Sequence, residues 1–398
     1  MSPPCVRALA LVALVAVACA DPAPRLARGA PQTFEHPGRL HELHASALAA
    51  GPDGELLLAW SRRDADGASV WAVRAGGAPV RVDPPGSAAA ASHDAPGLAV
   101  GPRGEVHVLW TARSPEAAGA SALRLSTSRN AGASFGPPLA VSEPGPRSHD
   151  FASLAAAPDG ALLVAWLEIG GPVASARSAR VEPETGRVVE RATLEASACV
   201  CCRTAVAVGP AGAGILWRGE RAGSVRDMFW ARSGPGGRRF GAPEPVHADG
   251  WRLDACPHRG GSLAFDASGR ALAAWYTEGT RARPSLLLAS AAPGAAFEVP
   301  RELRESAEAL PDRPALAVAA SGAGLVAFES ATSVRRVIVA RAFTPGAEAL
   351  GPGLVLSSAL QASGPAVAAL PRAGFAVAWH EEAFPVLRSV VVEVAAER

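Results

Sequence analysis

One stretch of the sequence decides the fold: Leu98-Ala-Val-Gly-Pro-Arg-Gly-Glu-Val-His-Val-Leu-Trp110. It joins two apolar segments through a Gly-Pro-Arg-Gly turn, which is the pattern of a β-hairpin. Six further segments share this pattern, and they begin at Leu48, Leu154, Ala205, Leu263, Leu316 and Val367. All seven end in an aromatic residue, namely Trp60, Trp110, Trp166, Trp217, Trp275, Phe328 and Trp379. The chain is therefore built from seven copies of one unit.

The copies recur at a nearly constant interval. With the turn residues Gly51, Gly101, Ala157, Gly209, Asp266, Ala319 and Leu370 taken as equivalent, the steps are 50, 56, 52, 57, 53 and 51 residues. Units of about 50 residues with short strands are typical of β-propeller blades. The sequence thus predicts an all-β, seven-bladed propeller of four-stranded antiparallel blades, forming a single domain over residues 32–398.

The seventh copy lacks the residues for an outermost strand of its own, because the chain ends soon after Val390–Val394. The stretch Pro31–His36 precedes the first copy and has no other partner in the repeat pattern. We expect Pro31–His36 to complete the seventh blade and close the ring, since closure removes an exposed strand edge that would favour aggregation.

Charge and composition exclude some partners. The chain has 398 residues with 38 basic and 37 acidic side chains, and every basic residue is arginine. This balance provides no basic field for nucleic acid, so no nucleic-acid partner is expected. We expect a monomer.

The N-terminus has the features of an export signal. A single arginine, Arg7, precedes the apolar run Ala8–Ala18, which is too short to cross a bilayer as a stable helix. The run ends in Ala16-Val-Ala-Cys19, which resembles a bacterial lipobox. We therefore expect a signal peptide over residues 1–18, lipidation of Cys19 and a Pro-rich tether over residues 19–31, with secretion without a lipid as the alternative. The protein would then be anchored to a membrane in the bacterial cell envelope.

A turn motif in the second copy carries a family resemblance. Ser128-Arg-Asn-Ala-Gly-Ala-Ser-Phe135 resembles the bacterial neuraminidase repeat, or Asp-box, with asparagine in place of the aspartate. Two weaker copies keep the serine, glycine and aromatic positions, at Ser233, Gly237 and Phe240 and at Ser290, Gly294 and Phe297. The resemblance implies a sialidase-type propeller, and because that family has six blades, a six-bladed ring is the alternative. The motif is a structural turn, so it speaks to the fold rather than to catalysis.

Aligned positions at the start of each first strand predict a ligand-binding face. In a propeller these starts lie on the same face as the loops that follow the second strands. Histidine or cysteine recurs eight positions before the equivalent turn residue, and aspartate, cysteine or arginine follows it. The side chains that we expect to bind a glycan or small anionic ligand on this face are His93, Asp94, His149, Asp150, Arg203, Arg259 and Arg313. A merely solvated rim is the alternative.

Every cysteine after Cys19 lies in two short clusters about one repeat apart. Cys199, Cys201 and Cys202 precede the first strand of the fourth copy, and Cys256 and His258 precede that of the fifth. Disulfide bonding is the first expectation, because an exported protein meets an oxidising compartment. The second is a soft-metal site for copper or zinc, which thiolate and imidazole ligands favour. Free thiols are the third.

The resemblance to sialidases also implies a catalytic set. Sialidases use a tyrosine nucleophile assisted by a carboxylate, together with three arginines that hold the substrate carboxylate. The only tyrosine here is Tyr276, with Glu278 two residues later, and Arg203, Arg259 and Arg313 would supply the triad. The family's early Arg-Ile-Pro motif is absent, and Tyr276 falls in the fifth copy rather than in a late part of the chain. Three functions therefore stay open: a binding propeller, an exo-α-sialidase and a purely structural interaction module.

Overall fold

The computed structural model describes residues 24–30, 32–35, 46–64, 67–87, 89, 95–114, 117–279, 281–304, 308–358, 360–372, 374–381 and 386–395. These residues form β-strands and two short 3-10 turns, Pro235–Gly237 and Pro345–Ala347, with no α-helix among them. No element in this part of the chain is a helix able to cross a membrane. Cys19, His93 and Asp94 lie outside the described residues, so their predicted roles stay predictions.

The strands fall into seven sheets, which we number as blades in chain order. Two strands precede the first blade, β1 (Arg25–Arg28) and β2 (Gln32–Glu35). Blade 1 contains β3 (Ala47–Ala50), β4 (Leu56–Asp64), β5 (Gly67–Arg74) and β6 (Val80–Arg81). Blade 2 contains β7 (Gly97–Val100), β8 (Val106–Arg113), β9 (Ser121–Ser128) and β10 (Leu139–Ala140). Blade 3 contains β11 (Ser148–Ala156), β12 (Leu162–Ile169), β13 (Ala174–Glu182) and β14 (Arg187–Ala198).

The remaining blades repeat this order. Blade 4 contains β15 (Ala205–Gly209), β16 (Gly212–Arg218), β17 (Met228–Arg232) and β18 (Glu244–Pro245). Blade 5 contains β19 (Gly261–Phe265), β20 (Ala271–Thr277), β21 (Ser285–Ala291) and β22 (Arg301–Leu303). Blade 6 contains β23 (Leu310–Val318), β24 (Gly324–Ala331), β25 (Arg336–Phe343) and β26 (Leu354–Val355). Blade 7 contains β27 (Ala362–Ala369), β28 (Phe375–Glu381) and β29 (Val386–Ala395), with β1 and β2 on its outer edge.

The seven sheets form a closed ring of antiparallel blades. Within each blade neighbouring strands are antiparallel, and in blades 1 to 6 they follow the chain order. The first strands of successive blades contact one another from β3 to β27, and β27 contacts β3 again. The predicted seven-bladed propeller is therefore confirmed, and the six-bladed alternative is wrong.

The repeated hairpin has a simple physical basis. In blade 2, the amide of Gly101 donates to the carbonyl of Glu105 at 2.7 Å, and the amide of Gly104 donates to the carbonyl of Gly101 at 3.0 Å. Gly104 adopts φ +83°, in the left-handed region that favours glycine. The glycine of the repeat therefore closes the tight turn between the first two strands.

The repeated aromatic residue packs each blade against its neighbour. All seven, from Trp60 to Trp379, are at most 3% exposed. Trp275 lies in a cluster with Leu216 and Trp230 of blade 4, and Phe328 lies in a cluster with Leu272 and Leu288 of blade 5. Burial of each of these seven side chains stabilises the protein by about 1.5–3 kcal/mol. The hydrophobic core is thus divided among the contacts between blades.

The ring closes through the N-terminal segment, as predicted. Gln32–Glu35 pairs antiparallel with Val386–Ser389 of β29. Arg25–Arg28, which the sequence pattern assigns to the tether, instead pairs with Val392–Ala395 of the same strand. The physical reason is the length of β29, because β2 covers only part of its edge and leaves its last residues available for pairing.

The Asp-box-like turn of blade 2 is held by its own side chains. Ser128 Oγ accepts a hydrogen bond from the Gly132 amide at 2.9 Å and lies 2.8 Å from Asn130 Oδ1. Asn130 Oδ1 also accepts from the Ser134 amide at 3.0 Å. The asparagine therefore organises the turn in place of the aspartate.

Candidate functional site

The candidate site lies on the upper face, by which we mean the loops before the first strands and after the second strands of the blades. Its centre is the cysteine loop, residues 199–204, between blades 3 and 4. The Cys199 amide donates to the carbonyl of Arg218 at 2.9 Å, which ties the start of the loop to the end of β16. The Thr204 amide donates to the Phe151 carbonyl at 3.1 Å, and Thr204 Oγ1 donates to the Ala165 carbonyl at 3.1 Å, both in blade 3. Both ends of the loop are therefore fixed to strands.

The thiol groups of three cysteines in the cysteine loop lie close to one another. Cys199 Sγ lies 3.7 Å from Cys201 Sγ and 3.6 Å from Cys202 Sγ. The exposed fractions of Cys199, Cys201 and Cys202 are 0%, 4% and 0%. The sulfur atoms of all three lie within 4.8 Å of one another. The loop therefore presents a buried three-sulfur cluster.

A second loop brings two more ligands to the same place. Cys256 and His258, which precede β19, are exposed, and their ligand atoms and that of Cys201 lie within 4.8 Å of one another. A Cβ atom on Gly260 would lie 2.6 Å from the Arg203 carbonyl oxygen, so glycine lets this loop approach the cysteine loop. The five residues of the predicted soft-ligand pool thus converge in space, from two neighbouring blades.

The predicted disulfide is not formed in the structure. The four cysteines of the described residues are free thiols, three of them buried and Cys256 exposed. Sulfur atoms in a disulfide are about 2.05 Å apart, whereas Cys199 Sγ is 3.6 and 3.7 Å from its two neighbours. The three sulfur atoms of the cysteine loop are therefore too far apart to be bonded, and their spacing is that of ligands around one ion. Cys256 and His258 lie beside them.

An arginine that the sequence analysis did not single out contacts the cluster. Arg226, in the loop after β16, donates from Nη1 to Cys199 Sγ at 3.3 Å and from Nε to the Leu253 carbonyl at 3.1 Å. Its Nη1 also lies 2.6 Å from Glu220 Oε2. Its place in a loop after a second strand was the available sequence signal, but nothing in the repeat marks this loop position as a contact of the thiols.

Hydrogen bonding and charge favour a thiolate at Cys199. Hydrogen bonding with the Cys201 and Cys202 thiols, together with the nearby Arg226 guanidinium, lowers the pKa of Cys199. Burial raises the pKa of Cys202 to about 12. Cys199 is therefore the thiol of the cluster that ionises most readily.

A second buried arginine, Arg218, connects two elements of the site through hydrogen bonds. Arg218 is 1% exposed, and its Nε and Nη2 donate to the carbonyl oxygens of Arg259 and Tyr276 at 3.0 and 2.7 Å. The guanidinium carbon lies 4.8 Å from the centroid of the Trp251 ring. Arg218 thereby joins the end of β16 to the loop that carries Cys256 and His258.

The three predicted arginines do not present free charges to a common ligand. Arg259 Nη2 lies 2.9 Å from Asp312 Oδ2, and Arg313 Nε lies 3.6 Å from Glu329 Oε1. Arg203 donates from Nε to the Ala152 carbonyl at 3.0 Å. Two of the three are thus already paired with carboxylates, which reduces the field available to a substrate carboxylate.

Tyr276 and Glu278 lie at the end of β20, beside Arg259. The Tyr276 hydroxyl donates to Glu278 Oε1, and the Arg259 guanidinium carbon lies 4.5 Å from the tyrosine ring centroid. Tyr276 is 3% exposed, whereas Glu278 is exposed. Burial and, after it, the hydrogen bond to Glu278 raise the pKa of Tyr276 above its ordinary value. The hydroxyl is therefore held in its neutral form.

His149 and Asp150 belong to blade 3 and make other contacts. His149 is buried, with Nε2 3.3 Å from Glu168 Oε2 and Nδ1 3.2 Å from the Ser121 carbonyl oxygen. Asp150 accepts a hydrogen bond from the Phe151 amide at 2.9 Å. Both side chains are used to connect strands and loops of blades 2 and 3.

Comparison with known proteins identifies the fold and no family. A scan against protein-family models and a search of curated proteins gave no match. Among solved structures, an ulvan lyase of polysaccharide lyase family PL25 has 10% identity and a TM-score of 0.57, covering 91% of this chain and 96% of the lyase. Hydrazine synthase of Kuenenia stuttgartiensis has 13% identity and a TM-score of 0.55, covering 92% of this chain and 97% of that chain.

A sialidase is also among the similar structures. A Hadza microbial sialidase has 12% identity and a TM-score of 0.52, covering 85% of this chain and 73% of the sialidase. At such low identities the likeness shows the fold alone. The protein therefore has a sialidase-like β-propeller fold.

Proposed function

We propose that this protein is an exported, lipid-anchored propeller that binds a soft metal ion, copper(I) or zinc, on its upper face. The observation that carries the proposal is the convergence of four sulfurs and one imidazole from two neighbouring blades. Soft thiolate ligands select copper(I) and zinc, and imidazole suits both. A near-neutral chain with arginines already paired is less suited to an anionic ligand.

The spacing of the sulfur atoms fits such an ion. Thiolates bound at about 2.3 Å around a tetrahedral zinc ion lie about 3.8 Å apart. Cys199 Sγ lies 3.7 and 3.6 Å from Cys201 Sγ and Cys202 Sγ. Only small side-chain movements would therefore be needed to bring the three sulfurs to an ion. Arg226, hydrogen-bonded to Cys199, would help to offset the charge of the thiolates.

Metal titration of the reduced, metal-free full-length protein tests the proposal. Zn²⁺ is added in competition with a chromophoric chelator, and Cu⁺ in competition with bicinchoninate under anaerobic conditions. We expect stoichiometric, tight binding that Cys199→Ser and Cys202→Ser weaken strongly. His247→Ala removes a histidine outside the cluster and serves as the matched control. If the wild-type protein binds neither ion while Cys199, Cys201, Cys202 and Cys256 are reduced, the proposal is wrong.

Carbohydrate binding or hydrolysis is the second candidate. It is favoured by the contact of the Tyr276 hydroxyl with Glu278, beside Arg259, because a tyrosine and a carboxylate are the catalytic pair of sialidases. Several structures of this fold act on polysaccharides or are sialidases by name. Hydrolysis of a fluorogenic sialoside by the wild type but not by Tyr276→Phe would support it. The burial of Tyr276 and the ion pairs of Arg259 and Arg313 count against it.

The anchored location rests on the leader alone. Cys19 at the end of Ala16-Val-Ala-Cys19 would carry the lipid, which supplies the membrane affinity. Cell fractionation of Cys19→Ser tests this, and we expect the variant to move from the membrane to the soluble fraction. If it stays in the membrane fraction, the anchor lies elsewhere.

A further inference from the structure

We infer that the site holds two metal ions bridged by the thiolate of Cys201, a closed inner ion and an accessible outer ion. The inference rests on the proposed function and names the form that the metal site takes. The inner ion would be bound by Cys199, Cys201 and Cys202, and the outer ion by Cys201, Cys256 and His258.

The arrangement of the ligands carries the inference. Among the described residues the five donors form two groups of three, each with its ligand atoms within 4.8 Å, rather than one group of five. Cys201 is the single member of both groups. Five donors exceed the four of a tetrahedral zinc site, and a thiolate sulfur has enough lone pairs to bind two ions. A shared Cys201 uses all five donors without requiring one ion to reach them all.

Burial distinguishes the two ions. The inner ligands Cys199, Cys201 and Cys202 are at most 4% exposed, so the inner ion would be shut away from solvent. Cys256 and His258 are exposed, so the outer ion would face the surface of the upper face. Each ion would have three protein ligands, and an ion with three protein ligands keeps a position for water or an exogenous ligand. Only at the outer ion would that position be open to solvent. The outer ion would accordingly accept a small donor molecule such as a thiol or an anion.

The two loops that carry the ligands explain why the inner ligands are buried and the outer ligands are exposed. Cys199 and Cys202 lie on the cysteine loop, which is tied to strands at both ends, at the Arg218 and Phe151 carbonyls. Cys256 and His258 lie on the loop before β19, and His258 adopts φ +50°, in the left-handed region. A non-glycine residue with positive φ is uncommon and often marks a functional site. Here that backbone conformation accompanies the convergence of the imidazole with Cys201 and Cys256.

The test counts ions on the full-length protein. Native mass spectrometry after saturation with Zn²⁺ should show two ions per wild-type chain, with one ion removed rapidly by EDTA and the other slowly. His258→Ala and Cys256→Ser should each keep one slowly removed ion. Cys202→Ser should keep one rapidly removed ion, and Cys201→Ser should lose both. His247→Ala should keep two, and circular dichroism checks that each variant is folded.

A measurement on the wild type alone avoids dependence on the variants. Saturation with ¹¹³Cd²⁺ should give two resonances in the thiolate region, coupled to each other through the shared sulfur. One ion per chain and one resonance would overturn the bridged pair but leave metal binding intact. If the wild type bound none of Zn²⁺, Cd²⁺ and Cu⁺, the proposed function itself would be overturned. Two ions whose removal is unaffected by Cys201→Ser would also overturn the bridge.

Discussion

Arg226 donates a hydrogen bond to Cys199, with Nη1 3.3 Å from Sγ, while the same nitrogen lies 2.6 Å from Glu220 Oε2. Arg226 is 6% exposed, so this guanidinium is held inside the protein beside a buried sulfur. A buried cation needs compensating partners, and here a carboxylate and a sulfur provide them. The contact links the loop after β16 to the cysteine loop and gives the site a positive neighbour.

Replacing this arginine should weaken metal binding. Arg226→Met removes a hydrogen bond and a positive charge next to a metal-binding sulfur, and outer partners of this kind are worth about 10–100-fold in metal affinity. We expect the Zn²⁺ affinity to fall within that range, and Arg226→Lys to retain part of it. Arg232→Met, in which a surface arginine paired with Glu244 is lost, is the control. Unchanged affinity in folded Arg226→Met would show that the contact is only structural.

The Asp249 carboxylate lies in the segment between blades 4 and 5 and stabilises the fold through two hydrogen bonds. It is 2% exposed and accepts hydrogen bonds from Trp275 Nε1 at 2.7 Å and His247 Nδ1 at 2.8 Å. Asp249→Ala would leave the buried indole donor unpaired, and hydrogen bonds to charged groups contribute about 1.5–3 kcal/mol. We expect the free energy of unfolding to fall by about 2–4 kcal/mol, as measured by chemical denaturation. Asp53→Ala, at an exposed position, should change it by less than about 0.5 kcal/mol.

The N-terminal strands should contribute strongly to ring closure. Deletion of residues 1–35 removes both β1 and β2 from the edge of β29. At about 1 kcal/mol net for each ladder hydrogen bond, the free energy of unfolding should fall by several kcal/mol. The exposed edge of β29 should also promote aggregation, measured by light scattering. Deletion of residues 1–23 keeps both strands and should melt at the full-length temperature; an equal loss in both deletions would contradict this role for β1 and β2.

A buried histidine in blade 2 should make the protein less stable in mild acid. Burial lowers the pKa of His107 to about 4, whereas an unfolded histidine titrates near 6.5. Between these values the unfolded chain binds more protons than the folded one, so stability falls as the pH drops from about 6.5 toward 4. At pH 5 this amounts to about 2 kcal/mol relative to pH 7.5.

The measurement for His107 is denaturant unfolding at the two pH values. His107→Gln keeps a polar group near Thr127 Oγ1, which lies 3.0 Å from Nδ1, but cannot be protonated. The variant should therefore lose less stability on acidification than the wild type. An identical pH dependence in both proteins would show that His107 does not control it.

The sequence alone predicted the repeat architecture because repetition is a local signal. Each copy shows its own hairpin, turn glycine and final aromatic, and seven such aromatics imply seven similar contacts between blades. The partner of β29 was also predictable, since Pro31–His36 was the one segment without a place in the repeats. The same pattern assigned Arg25–Arg28 to a tether, because pairing along the rest of β29 depends on strand lengths that the repeat does not specify.

Part of the candidate site was likewise predictable from the sequence, and part was decided only by the tertiary structure. Alignment of the copies was sufficient to place Cys199, Cys201, Cys202, Cys256 and His258 on one face, because a propeller repeats its geometry from blade to blade. Only the tertiary structure decided that Cys201 belongs to two groups of donors and that Arg226 reaches Cys199. Those relationships depend on the paths of irregular loops, which are set by contacts such as Gly260 against the Arg203 carbonyl and not by strand periodicity. The chain's repeats therefore determine its architecture, whereas the close approach of two loops determines the arrangement of the thiols.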